Sequence, residues 1–271
     1  MNILDLMMLS FSALKERKLR AVLTIAMVAI GAGLVTALSG MTNGLYTYML
    51  GQFSTLGANI VIVMPASSSF RINEPVRDSI ERIANVKDVA PFIQQVATLE
   101  SGGTSKATTI IGIDQNKLPL IFPTVEIAEG SLIPPHDAIG IVVGNTVAYP
   151  PGQSTPFLRY HQSVIVKYTY QEGVKLVTDT RSFQVKGILS YMGTSAMFIP
   201  IDRMAAISLH TANSLFKRGG SYDALFVIAT DADAVEDVVS RIKKIYENNV
   251  EAISAKSIIQ IVQNIMGALQ V

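Results

Sequence analysis

Few residues in this 271-residue chain have the types and spacings that acid–base, nucleophilic or metal chemistry needs. The three histidines, His136, His161 and His210, show no H-x-x-x-H or H-E-x-x-H spacing that would set two imidazoles on one helical face for a metal. They could converge in space, but the missing spacing points to solvated or loop side chains. Glu126 and Glu129 stand three apart and could form an acid/base pair; the simpler reading is a polar edge beside a turn at Gly130. There is no cysteine, which excludes disulfides, thiolate nucleophiles and cysteine-held metals and leaves the redox compartment open. Gly31-Ala32-Gly33 looks like the opening of a dinucleotide loop, yet it follows no strand and lies inside an apolar run. Neither G-x-x-x-x-G-K-[ST] nor G-x-S-x-G occurs, so these residues contain no P-loop for ATP and no hydrolase nucleophile elbow. Lys243 and Lys244 flank the apolar stripe of a helix and read as a solvated face. No catalytic constellation emerges, and no metal or other cofactor is expected.

The elements explain why. Half of the chain is hydrophobic (49%), 16% is charged and the mean hydropathy is +0.37, against about 25% charged in ordinary soluble domains. The excess is local: no Asp, Glu, Lys, Arg or His occurs between Arg20 and Arg71. Ala21–Leu38 is a mostly apolar run, and roughly 20 helical residues cross a bilayer core of about 30 Å. Lys15, Arg17, Lys18 and Arg20 precede it, and no basic residue follows until Arg71. The positive-inside bias places the N-terminus in the cytoplasm and the main domain outside. A cleaved signal peptide ending at Ala37-Leu38-Ser39 is the rival reading, but the apolar stretch exceeds the usual length of about 7–15 residues. Met1–Leu14 is too short to span and reads as a helix in the membrane interface, with a frayed extension of the span as its alternative. The net charge of +1 argues against a nucleic-acid partner.

Within the span, Ala26, Ala29, Gly33, Ala37, Gly40 and Gly44 follow at steps of three or four. That spacing lays small residues along one face, which lets a second helix approach closely. An isolated anchor has no use for such a face.

Beyond Leu56 the texture is α+β. Asn59–Met64 reads as a buried strand, and Asn73 offers an N-cap to a helix carrying Val76, Ile80, Ile83 and Ala84 on one face. Gln94–Glu100 and Lys106–Ile113 flank Ser101-Gly102-Gly103-Thr104, a hairpin signal. Between about Leu118 and Leu189, prolines exclude a long helix; Val164–Tyr170, a Gln171-Glu172-Gly173 turn and Phe183–Leu189 read as a β meander. After Pro200 the α+β texture returns. Asp202 can cap a helix through about Asn213, Tyr222–Ala229 is a strand, and Asp231 caps a helix with Val235, Val238, Val239, Ile242, Ile245 and Tyr246 on one face. Asn248-Asn249 ends it. The expected class is therefore α+β: an N-terminal transmembrane helix, then an extracytoplasmic α+β module with an inserted mainly-β subdomain. The boundaries are an interfacial helix at 1–18, a spanning helix at 19–40 and a helical stalk at 41–57. A module split between 58–117 and 200–253 follows, with the insert at 118–199, and 254–271 is a second stalk helix leading toward further spans.

This layout resembles the N-terminal half of the MacB/FtsX-like permease family of ABC transporters. The residues that carry the resemblance are Ala13-Leu14, Lys18 through Thr24, the glycines of the span and above all Leu56-Gly57-Ala58-Asn59-Ile60-Val61-Ile62-Val63. Phe183–Leu189 and Phe198-Ile199-Pro200-Ile201 are similar to a late strand and the segment before a late helix of that family. Two features depart from it: Gly130-Ser131 stands where Gly-Arg is usual, and Pro150–Tyr160 is an unusual loop. The family's three further spanning helices lie outside these residues. The resemblance implies a permease of the cytoplasmic membrane that is not itself an enzyme, works as a homodimer or paired permease and takes its power from a separate ABC ATPase. Movement passed through the helices to the outer domains would serve efflux, substrate release or control of cell-wall enzymes; the substrate stays unnamed. A single-pass anchored binding or sensor domain without transport is the alternative.

Overall fold

The computed structural model describes residues 18–54, 57–193, 200–254 and 256–257, and the chain divides between Met49 and Leu50 into two units. The first is dominated by α1, which runs unbroken from Lys18 to Ser54. Its five glycines would each weaken a helix in water by about 1 kcal/mol. In hydrocarbon an unpaired backbone group costs more than that, so a helix persists. The threonines obey the same rule: the hydroxyls of Thr24, Thr36 and Thr42 donate to the carbonyls of Arg20, Ala32 and Leu38 at 2.9, 2.9 and 2.7 Å. The interfacial helix expected over 1–18 lies outside the described residues apart from Lys18, as does most of the stalk helix expected over 254–271.

The second unit opens with β1 (Ile60–Pro65), β2 (Ile72–Asn73), α2 (Glu74–Glu81), β3 (Val86–Ser101) and β4 (Thr104–Gly112). Then come α3 (Leu118–Ile121), β5 (Ile127–Gly130), β6 (Gly140–Val143), α4 (Asn145–Ala148), β7 (Ser163–Glu172) and β8 (Lys175–Leu189). It closes with β9 (Met204–Ile207), α5 (Leu209–Leu215), β10 (Ser221–Tyr222), β11 (Ala224–Ala229), α6 (Val235–Tyr246) and β12 (Val250–Ser254).

β3 is long enough to serve two structures. Its first half pairs with β11, which pairs with β1, which pairs with β12, all antiparallel. Its second half pairs with β4 on one edge, while Thr98–Glu100 pair with β7 on the other. From there the pairing closes on itself: β4 pairs with β9, β9 with β6, β6 with β8 and β8 with β7. This six-strand ring leaves its members few open edges. Strand alternation turns Ala97, Leu99, Val164, Val166, Phe183 and Val185 inward to form its core. A second core, around Phe92, Phe122 and Phe226, lies under the segment that follows β4, and a third packs α2 and α6 on the β1–β11 face.

The expected α+β class, with one apolar N-terminal helix, holds. Asn73 caps α2, its side chain accepting from Val76 N at 3.4 Å, and Gly102-Gly103 turn the hairpin at φ 56° and 79°. Four local expectations fail. Asp231 does not cap α6, whose N-cap is Ala234; its carboxylate accepts from Ala234 N at 2.8 Å in the turn ahead of the helix. Asp202 caps no helix: it sits in a single 3-10 turn, Met204–Ile207 form β9 and Ser208 caps α5. The four apolar residues are claimed on both sides by β4 and β6, and such a short run has no period of its own. Ile245 is half exposed at the end of α6, where Tyr246 packs edge-on against Phe70 at 6.1 Å in its place. Ala84 lies beyond the end of α2 and faces solvent.

Candidate functional site

Every residue expected to orient or pack the span sits on α1, except Lys15 and Arg17, which lie outside the described residues. Lys18 and Arg20 are exposed at its N-terminal end. At 100° per residue, Ala26, Ala29, Gly33, Ala37, Gly40 and Gly44 fall within an arc of about 80°. Among the described residues nothing approaches within 4 Å of where a Cβ would stand at Gly33, Gly40 or Gly44. The stretch Lys18–Leu45 contains an 18-residue window with a mean hydropathy of 2.3 and is long and apolar enough to cross a membrane. Its Leu, Ile, Val and Met side chains are bare all around the helix, a pattern that suits lipid rather than water.

In the outer unit, two of the three histidines line the same cleft. His136, ahead of β6, and His210, on α5, line a cleft of about 270 Å³ with Glu74, Arg77, Asp114 and Lys117 over a floor that includes Val89 and Pro91. The cations of this cleft are already engaged. Arg77 pairs with Glu74, Asp78 and Glu81, and Lys117 Nζ reaches Asp88 Oδ1 at 2.6 Å and the Val89 carbonyl at 3.0 Å. Among the described residues no group of three His, Asp or Glu side chains is placed to hold a metal ion. His161 lies apart, packed on Tyr160. Glu126 and Glu129 form no pair: the Glu126 carbonyl accepts from Ser190 N, and the Glu129 carboxylate accepts from Tyr149 OH. Lys243 and Lys244 are solvated.

One electrostatic feature of the cleft is testable. Tyr222 OH donates to Glu74 Oε2 at 2.6 Å. That bond, followed by the Arg77 guanidinium, holds the Glu74 carboxyl below its ordinary value, while burial and Glu74 push the Tyr222 phenol up. A depressed carboxyl stabilises the fold above the ordinary Glu value, about pH 4.3, and loses that contribution as pH falls through its own value. Tyr222→Phe is therefore expected to raise the Glu74 pKa in a carbon-13 NMR titration. The stability difference from wild type should shrink below about pH 4; an unmoved Glu74 titration would refute the assignment.

The split sheet, its ring and the preceding apolar helix can now be set beside known proteins. A family described as MacB-like periplasmic core domain matches residues 21–245. The chain belongs to this family. Relatives include an uncharacterised ABC transporter permease of Methanocaldococcus jannaschii, 19% identical over 100% of this chain and 66% of the relative. The macrolide export ATP-binding/permease protein MacB of Hyphomonas neptunium is 23% identical over 82% of this chain and 34% of its own length. The chain thus spans between a third and two thirds of the length of these curated relatives. The crystal structure of the periplasmic region of MacB from Actinobacillus actinomycetemcomitans shares the fold, with a TM-score of 0.57 at 12% identity over 78% of this chain and 95% of that one. So does the extracellular domain of the transporter YknZ from Gram-positive bacteria, with a TM-score of 0.52 at 12% identity, covering 72% of this chain and 100% of that domain.

A MacB-like core domain needs its segments held in register, and the residues that do so carry no sequence motif. Gln115, fully buried, donates to the Ala206 carbonyl and accepts from Ile133 N, both at 3.0 Å. Buried Asp202 accepts from the backbone of Met192 at 2.9 Å and Gly193 at 2.8 Å. Asp223 accepts from Gln94 N at 2.8 Å and pairs with Arg218. Gln115 stands in the polar run Asp114-Gln115-Asn116-Lys117, so nothing local marked it as buried. For Asp202 the cap reading hid its burial.

Proposed function

We propose that this chain is the permease part of an ABC transporter, in which a separate ATPase drives movement that α1 transmits to the outer domain for export or release of a substrate. The observation that carries this reading is the unbroken helix from Lys18 to Ser54, whose apolar span precedes a domain of the MacB-like periplasmic type in the chain. A continuous backbone-bonded helix passes on displacement with little loss, whereas a flexible linker would absorb it. In this reading Lys15, Arg17, Lys18 and Arg20 hold the N-terminus in the cytoplasm. The Ala26–Gly44 face packs in a homodimer or paired permease, and the outer domain works as a split module with an insert at 118–199. The names of the Hyphomonas MacB and of a pyoverdine export protein PvdT from Pseudomonas syringae pair an ATP-binding with a permease function, which supports an ATPase as partner.

The absence of cysteine makes the orientation directly measurable. With single cysteines at Ser12 and at Ser105, which is exposed on the β3–β4 hairpin, an impermeant thiol reagent on intact cells should label Ser105→Cys and spare Ser12→Cys. Co-expressed with a P-loop ATPase subunit of its own host and reconstituted in nanodiscs, the protein should bind that subunit and raise its ATP turnover. The reverse labelling pattern would overturn the orientation. Correct labelling with no ATPase bound would leave an anchored binding domain instead.

A further inference from the structure

The loop from Tyr149 to His161, a departure from the family pattern, is built more firmly than a connection from α4 to β7 requires. Phe157 N and Leu158 N both donate to the Ala148 carbonyl, at 2.8 and 3.3 Å, and His161 N donates to Val185 O at 2.9 Å. Phe157 and Leu158 are buried in the core of the strand ring, and Pro150, Pro151 and Pro156 restrict the backbone between. Compact loops with close ends and their own packing are frequent carriers of function. This one turns its chemistry outward. Tyr149 and Tyr160 are each 38% exposed, and Arg159 and His161 face solvent.

Two of these side chains, Tyr149 and Tyr160, reach residues of β5. Tyr149 OH donates to Glu129 Oε1 at 2.8 Å. The Tyr160 ring stands so close over Gly130 that a Cβ there would lie 2.5 Å from its Cε2, and Gly130 also takes φ +81°. His161 takes φ 64°, a conformation uncommon for a side-chain-bearing residue, and its ring lies 3.8 Å from that of Tyr160. Arg159 has no ion-pair partner among the described residues.

We propose that Tyr149, Arg159, Tyr160 and His161, with Glu129, form a saccharide-binding patch. The partly exposed phenol rings offer apolar surface with polar tips. Carboxylate and guanidinium offer planar pairs of acceptors and donors. A sugar ring presents the complement of both, a C–H face and neighbouring hydroxyls. An added polypeptide strand fits less well, because β5 is only four residues long, is bulged between Ile127 and Glu129 and carries a charge, features that discourage strand addition. The proposal does not rest on the permease reading.

The test uses the full chain in lipid nanodiscs, free of sugar detergents, titrated with chitotetraose, maltotetraose and a tetragalacturonate and followed by saturation-transfer NMR and calorimetry. At least one oligosaccharide should bind with a dissociation constant of about 1 mM. Tyr160→Ala and Arg159→Ala should each weaken it about tenfold or more, the scale of losing one stacked or charge-assisted contact. Tyr160→Phe, which keeps the ring, and Tyr191→Ala, an exposed tyrosine elsewhere, should bind like wild type. No binding of all three up to about 10 mM, or equal binding by every variant, overturns the proposal. So does binding of an extended octapeptide, with the same variant dependence, in place of the sugars.

Discussion

Phe226→Ala is expected to lower the stability of the outer domain by about 3–5 kcal/mol, the range for emptying a packed aromatic site. Phe226 is almost fully buried on β11, where it meets Phe92 edge-on at 5.3 Å and Phe122 at 5.8 Å. Phe92 lies on β3 and Phe122 directly after α3, so one side chain joins the strand layer to the segment that covers it. Phe92 is held by strand pairing and Phe122 by its backbone bond to the Leu118 carbonyl at 2.7 Å, so neither ring can collapse freely into the space, which places the loss at the upper part of the range. At roughly 2–4 °C per kcal/mol for a domain of this size, the thermal midpoint should fall by about 6–20 °C. Phe226→Leu, which keeps most of the volume, should lose less than half of that. Circular dichroism melts of the full chain in nanodiscs measure both. A fall of less than about 3 °C for the alanine variant would mean that this core does not hold the two segments together.

Gly33→Leu and Gly40→Leu are expected to weaken helix association about tenfold or more while membrane insertion stays normal. In lipid, apolar helices gain nothing hydrophobic by meeting, so close van der Waals contact between backbones must supply much of the association. Glycine and alanine permit that approach, and leucine separates the helices. Insertion is spared because leucine is favourable in hydrocarbon. Val28→Leu, roughly 140° around the helix from the stripe, is the control. Crosslinking yield of the protein, with and without the proposed ATPase partner, gives the association. If the glycine variants assemble like the control, the stripe is compositional chance and α1 only an anchor. Reduced ATPase stimulation in the same variants would tie the packed face to coupling.

Much of this architecture was legible residue by residue. The apolar helix needed only composition and length, because lipid imposes a rule that any sequence must meet locally. Asn73, Gly102-Gly103 and the apolar face Val235–Val238–Val239–Ile242 were equally plain, since caps, turns and amphipathic stripes depend on neighbours within a few positions. The α+β class followed from the order of these pieces, and its likeness to the MacB/FtsX-like permeases from motifs such as Leu56–Val63.

Longer-range pairing was not legible. That β3 divides between β11 and β4, that β7 returns to its far edge and that six strands close into a ring are choices among strand partners of similar apolar texture. Only the packed tertiary structure makes them. The Met204–Ile207 run shows the same limit: four apolar residues carry no period, and the slot between β4 and β6 decides that they are a strand. With β9 in place, Asp202 loses a helix to cap and binds the Met192–Gly193 backbone. The cleft shared by His136 and His210, and the contact of Tyr160 with Gly130, likewise exist only once distant segments are folded together. Local sequence determined each element, because its energetics are settled within a turn or a strand. Tertiary packing decided which elements touch, because that depends on burial shared among residues far apart in the chain.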